Sequence, residues 1–293
     1  MKKVLLINGS KFLIEALTEL EIPFNHILAR NCEILIDNGK EELYNNGKRL
    51  SVDRNTFVIF IDGLQNLPVR DYLERHKIRG IYNDVNSSFL MDSKVATYFS
   101  LKDFEVRIPK TICTEKRHIM GLCGESSFLE KLGNPPYILK ANDLRLGEGV
   151  GIFNTVEEAK KIVDSVKENE RFWLVQEYIN PNKRVDERHV VFNGTIINSG
   201  IRVAGEGKVT THIKNGGRFE PFPEPLDGDT FELVLQAANS VGAVYCGVDV
   251  IRDENGTTYV LEVNSMPGDD HIIEGLGYNH LKVVAEFVKN NIQ

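Results

Sequence analysis

Near the end of this chain two apolar runs, Gly247-Val248-Asp249-Val250-Ile251 and Tyr259-Val260-Leu261-Glu262-Val263-Asn264, flank Asp253-Glu254-Asn255-Gly256. Asn-Gly between apolar runs is a strong hairpin signal, because both residues accept the positive φ of a tight turn. With Asn255 and Gly256 as the two turn residues, Glu254 pairs with Thr257, and counting outward sets Asp249 opposite Glu262. Asn264 lies two residues on and shares their face. Facing carboxylates repel each other, and burying them unpaired is costly. A hard divalent cation relieves both problems. Oxygen-only ligands suit magnesium or manganese and leave positions open for phosphate oxygens. The plainer alternative is a polar patch on a surface hairpin.

A chain of 293 residues is long enough for two or three subdomains. At 42% hydrophobic and 26% charged residues it has the composition of an ordinary globular protein. No apolar run reaches the roughly 18 residues of a membrane span, so no membrane association is expected. Val4-Leu5-Leu6-Ile7 resembles the core of a signal peptide, but Asn8-Gly9-Ser10-Lys11 interrupts it. A first buried strand and a cytoplasmic location are the expectation. The net charge of −7 argues against a nucleic-acid partner. Cys32, Cys113, Cys123 and Cys246 form no C-x-x-C pair and read as reduced structural residues.

Three units are expected, with bounds 1–91, 92–180 and 181–293. In the first, strands at Val4–Ile7 and Phe57–Ile61 alternate with helices at Phe12–Leu17 and Asp71–Lys77, which favours a parallel α/β sheet. A helix over Asp92–Phe99 opens the second. Strands Tyr137–Lys140 and Ile152–Phe153 follow, with Gly147, Glu148, Gly149, Val150 and Gly151 between them. Thr155 and Glu158 have capping-box spacing ahead of a helix, and Trp173–Ile179 closes the unit. The third holds a second Asn-Gly hairpin at Asn193-Gly194, helices near Phe231–Val241 and Leu281–Val288, and the opening hairpin.

Several residues suit the binding of an anion. Glycines at 147, 149 and 151 let backbone N–H groups approach one closely, although a simple hairpin tip explains them too. Lys140 ends an apolar strand, as either a phosphate clamp or a snorkelling surface lysine. Lys94 stands at a helix start, where the helix dipole disfavours a cation. Gln176-Glu177-Tyr178-Ile179 ends a strand whose backbone suits an adenine edge. Arg188 and Arg202 flank the second hairpin and suit bidentate anion binding. A salt bridge to Asp186 or Glu187 is the alternative. His212, in a polar glycine-containing loop, titrates near neutral pH and is a candidate acid or base; a structural role is the alternative.

Taken in order, the strand lysine, the glycine loop between strands, the Gln-Glu-Tyr-Ile strand end, the two arginines and the D…E-x-N hairpin resemble the ATP-grasp superfamily. The chain looks most like its RimK/LysX-type carboxylate–amine ligases, from Asp92 to the C-terminus. The most specific stretch is Gly247-Val248-Asp249 through Leu261-Glu262-Val263-Asn264-Ser265-Met266-Pro267-Gly268. The resemblance implies an α/β (α+β) ATP-grasp fold: an N-terminal parallel α/β unit, a central lid and a C-terminal antiparallel-sheet unit. It implies that Lys94, Lys140 and the backbone of 147–151 hold ATP phosphates. Gln176, Glu177, Tyr178 and Ile179 would hold adenine, and Asp186 would lie near the ribose. Arg188 and Arg202 would hold the substrate carboxylate or the transferring phosphoryl group, while Asp249, Glu262 and Asn264 would bind two magnesium ions. The implied reaction joins a small-molecule or peptide carboxylate to an amine through an acyl phosphate, releasing ADP and phosphate. A homo-oligomer is also implied. Relatives often carry Ser/Thr-Asn-x-x-Arg-Gly-Gly in the loop where this chain has His212 and Asn215, so the substrate side departs from the pattern. A small-molecule kinase on the same fold and a non-catalytic ATP-binding regulator are the rival readings.

Overall fold

The computed structural model describes residues 2–61, 67–124, 129–144, 147–166, 172–181, 185–203, 205, 216–222 and 225–292. Its first sheet is parallel, in the order β2 (Phe24–Ile27), β1 (Lys3–Ile7), β6 (Thr56–Phe60), β7 (Arg79–Tyr82). Val4–Ile7 and Thr56–Phe60 are buried at every position, as strands covered on both faces must be. Helix α1 (Lys11–Glu19) starts where Ser10 accepts from Leu13 N at 3.3 Å, and it buries Leu13, Ala16 and Leu17. Helix α2 (Leu67–Arg75) precedes β7.

Beside this sheet lies an unanticipated antiparallel meander, β3 (Cys32–Asp37), β4 (Lys40–Asn45) and β5 (Lys48–Arg49). Both of its turns are two-residue Asn-Gly loops, Asn38-Gly39 and Asn46-Gly47, with all four φ angles positive. The expected helix over Asp92–Phe99 is instead two helices, α3 (Val85–Asp92) and α4 (Lys94–Asp103), meeting at Ser93, the N-cap of α4.

The second sheet is antiparallel, in the order β10 (Val150–Phe153), β9 (Tyr137–Ala141), β11 (Phe172–Glu177), β8 (Thr111–Glu115). Helices α5 (Lys116–Gly124) and α6 (Val156–Ser165) accompany it. Thr155 caps α6 by accepting from Glu158 N at 3.3 Å. The Glu158 carboxylate reaches back one residue further than a capping box requires, to Asn154 N at 2.6 Å. One face of this sheet packs Tyr137, Leu139, Trp173 and Val175 against Ala159 and Val163 of α6.

The third sheet is antiparallel and five-stranded: β14 (Arg218–Pro221), β13 (Thr195–Val203), β12 (Val185–Phe192), β15 (Tyr245–Arg252), β16 (Thr258–Asn264). The Asn193-Gly194 hairpin forms as expected, with Phe192 opposite Thr195. Helix α7 (Gly228–Ser240) covers one face, and α8 (Asp269–Leu276) and α9 (Leu281–Asn291) follow β16. A single core joins this sheet to the first: Val190, Phe192 and Tyr245 meet Leu6, Leu13 and Ile59 through Leu281, Val284 and Val288 of α9. Asn83, just past β7, clamps the two together. Its amide bonds Val244 N at 2.8 Å, Tyr245 N at 3.0 Å and Tyr245 O at 2.7 Å. Among the described residues no helix is long and apolar enough to cross a membrane.

Candidate active site

Strand alternation builds the site. On β12 and β15, Val190, Phe192 and Tyr245 point into the shared core. Further along the same strands, the residues of that parity are Arg188, Asp186 and Asp249. Antiparallel register then sets Arg188 opposite Asp249, Arg202 opposite Asp186, and Glu262 opposite Asp249, with Asn264 next on the Glu262 strand. One sheet face thus changes from apolar core to a charged patch.

The expected Asp249–Glu262 pairing is present, but by a different route. The turn is a three-residue loop: Asp253 pairs with Thr257, Gly256 N donates to Asp253 O at 3.0 Å, and Gly256 takes φ +83°. That loop shifts the near-turn register by one, so Val250 faces Val260. A bulge between Asp249 and Val250 shifts it back.

The carboxylate repulsion is relieved by guanidinium groups. Arg188 Nε and Nη2 each lie 2.6 Å from an Asp249 oxygen, and Arg202 Nη2 lies 2.8 Å from Asp249 Oδ2. Arg202 Nε also donates to Asp186 at 2.6 Å, so the salt-bridge alternative holds for Arg202. Burial raises the Asp249 carboxyl pKa, but Arg188 and Arg202 outweigh it and hold it below the ordinary range. Burial likewise works against the Arg202 cation, and the Asp186 and Asp249 carboxylates raise its pKa above the usual value. Glu262, by contrast, has no ion-pair partner among the described residues. Its neighbour Asn264 fits with its amide nitrogen 2.8 Å from Glu262 Oε1 and its oxygen 3.1 Å from Arg188 Nη2. The patch therefore sets two guanidinium groups against three carboxylates.

The Asn264–Gly268 turn is locked onto this patch. Arg188 Nη1 donates to Pro267 O at 2.7 Å. A Cβ on Gly247 would lie 3.1 Å from Pro267 Cα, which accounts for glycine at that strand position.

The second sheet presents Ile138, Lys140, Leu174, Gln176 and Val150 on its other face. Lys140 Nζ has no hydrogen bond or ion pair to any described residue. Burial, reinforced by Lys94, lowers its pKa to about 8, against the pull of Glu262, Asp249 and Asp186. Those influences tie this face to the charged patch. Lys94 reaches in from α4, donating to Asn142 O at 3.1 Å and Leu144 O at 2.6 Å. Gln176 is buried and donates to Thr111 Oγ1 at 2.7 Å, while Glu177 accepts from Lys110 N at 2.7 Å. Tyr178 and Ile179 follow directly, half-buried.

The glycines divide into two kinds. Gly147 and Gly149, with φ +77° and +65°, flank Glu148 in a turn. Val150 and Gly151 are already in β10, paired with Lys140 and Leu139. A Cβ on Gly151 would sit 2.6 Å from Ile162 Cδ1, so that glycine makes room for α6. His212 lies outside the described residues.

Two side-chain networks, each with a buried histidine, went unread in the sequence. On the α7 side of the third sheet, His189 contacts Glu187 at 3.2 Å and Ser199 at 2.9 Å, and Arg252 bridges Glu187 and Asp227 at 2.6 Å each. At the start of α8, Asp269 accepts from Tyr245 Oη at 2.6 Å and meets His280 Nε2 at 2.9 Å. Neither has a local sequence signal, because each joins distant strands and helices. Among the described residues no three Asp, Glu, His or Cys side chains cluster as a metal site. The oxygen donors at hand are Glu262, Asn264 and what Asp249 has left beyond its arginines. That set suits a hard cation that also takes phosphate oxygens.

Residues 104–288 match the model of the RimK-like ATP-grasp domain. A protein from Psychromonas ingrahamii named "Probable alpha-L-glutamate ligase" is 30% identical over 165 residues, covering 56% of this chain and 54% of that protein. The chain thus spans about half the length of the curated relatives it matches. Among solved structures, D-alanyl-alanine synthetase A from Vibrio cholerae aligns with TM-score 0.69 at 16% identity, covering 99% of this chain and 98% of that one. The ATP-grasp ligase PsnB, complexed with a phosphomimetic precursor variant, Mg and ADP, aligns with TM-score 0.72 at 13% identity, covering 99% and 98%. At these identities the structural likeness is one of fold.

Proposed function

The chain belongs to the RimK-like ATP-grasp family, and we propose that it is an ADP-forming ligase that joins a carboxylate to an amine through an acyl phosphate. The family uses ATP and a divalent metal. The observation that carries the proposal is the pairing of Lys140, an ammonium without a described hydrogen-bond or ion-pair partner, with a facing patch in which Glu262 forms no ion pair among the described residues. One site then has a free positive group for phosphate and a free carboxylate for a metal.

Two magnesium ions held by Asp249, Glu262 and Asn264 would neutralise charge on the triphosphate. Lys140 and Lys94 would hold phosphate oxygens, with the turn at 147–149 closing over them. The backbone at Tyr178-Ile179 would meet the adenine edge. Arg188 is fixed by Asp249 and Pro267 O and would hold the substrate carboxylate in line with the transferring phosphoryl group. Arg202 would stabilise the charge that develops as the carboxylate oxygen bonds to phosphorus and ADP departs. Half-buried Lys140 would limit the access of water to the acyl phosphate until an amine displaces phosphate.

The donor and acceptor are proposed as amino acids or peptides, in keeping with the named relatives, and a cytoplasmic location is proposed with them. Incubating a panel of amino acids and dipeptides with Mg-ATP tests the reading. Amine-dependent release of ADP and phosphate supports it. A phosphorylated product without free phosphate points to a kinase, and tight ATP binding without turnover points to a regulator.

A further inference from the structure

Helix α4 is capped twice, once from a distant part of the chain. Ser93 accepts from Ala96 N at 3.3 Å. Asn142 Oδ1 accepts from Val95 N at 2.8 Å across a separation of 47 residues. The Asn142 amide also exchanges hydrogen bonds with Ser93 Oγ, at 3.2 and 3.3 Å, and donates to the neighbouring Asp143 carboxylate. Lys94 returns the contact by donating to Asn142 O at 3.1 Å and Leu144 O at 2.6 Å.

The joint connects two parts of the molecule. Asn142 follows β9, two residues past Lys140, and is 4% exposed. Helix α4 is tied to the third sheet and its covering helix: Tyr98 Oη donates to Leu261 O at 3.0 Å, Ser100 Oγ donates to Ser240 O at 2.6 Å, and Leu101 lies in the core under α7. Lys94 begins α4 and Lys140 is the last residue but one of β9, so the joint sits beside both lysines. The charges alone would not keep those groups together. Like charges repel, and the positive end of a helix disfavours a lysine in its first turn.

We propose that Asn142 is a positioning residue which, by capping α4 from the neighbouring sheet, holds Lys94 and Lys140 on the same phosphate group. The inference rests on the ligase reading above and adds to it the residue that aligns its two lysines. A side chain here that served only to cap the helix would lower stability without changing nucleotide affinity.

The test is calorimetric binding of Mg-ATP to the full chain, alongside thermal melting. Asn142→Ala is expected to weaken Mg-ATP binding about tenfold, the size of a lost alignment worth one good cap. Asn142→Asp keeps an acceptor for Val95 N and suits a helix N-terminus, so it is expected to bind within about threefold of wild type. Asn142→Ala that binds like wild type, whatever its melting temperature, overturns the inference. So does Asn142→Asp binding as weakly as Asn142→Ala. Wild-type protein that binds no Mg-ATP would instead overturn the ligase reading, and this inference with it.

Discussion

Arg188 grips both carboxylate oxygens of Asp249 at 2.6 Å, whereas Glu262, directly across the strand pair, has no guanidinium partner among the described residues. The two carboxylates should therefore respond differently to neutralisation. Asp249→Asn takes the counter-charge from Arg188 and leaves Arg202 with Asp186 alone, and should cost about 3 kcal/mol of stability. Glu262→Gln should stay within about 0.5 kcal/mol of wild type and lose turnover. Urea denaturation and ADP release on both variants check this. A Glu262→Gln protein with undiminished activity would remove Glu262 from the metal site.

Lys140 gives the site a pH limit. Burial lowers its pKa from 10.5 to about 8, with Lys94 adding to the effect. The protonated form binds phosphate, so Mg-ATP affinity should be full below that pH and fall as pH rises through it, by up to about tenfold per unit. Lys140→Arg should remove the decline, because a guanidinium stays charged. Binding titrations from neutral to alkaline pH measure it.

Gly151 is expected to matter through packing. Gly151→Val drives a side chain into Ile162 and should cost on the order of 2 kcal/mol. Adding Ile162→Ala should recover part of that loss, because the cavity left by one change takes the bulk of the other. A double variant no more stable than Gly151→Val alone would argue against the packing role.

What was legible in the sequence was local. Val4–Ile7 and Phe57–Ile61 read as buried strands because they are apolar throughout, and the strands formed there, Lys3–Ile7 and Thr56–Phe60, match to within a residue at each end. Asn193-Gly194 read as a turn because its chemistry is local, and Asn38-Gly39 and Asn46-Gly47 carried the same signal in a meander that went unread. The Asp249–Glu262 pairing was reached by counting from a two-residue turn, and it stands because a longer loop and a bulge cancel. The grip of Arg188 on Asp249 was not legible: it depends on the register between strands 61 residues apart. The role of Asn142 carried no sequence signal, since its partner, the α4 terminus, lies 47 residues away.

The central claim is that a carboxylate oxygen bonds to the γ-phosphorus of ATP before the amine arrives. Its most direct test uses amino acids labelled with 18O in the carboxyl group, glutamate first, incubated with the protein, Mg-ATP and the amine panel. The released phosphate is then read by mass spectrometry. The account predicts amine-dependent phosphate carrying one 18O for each amide formed. Amide formation with unlabelled phosphate would contradict it.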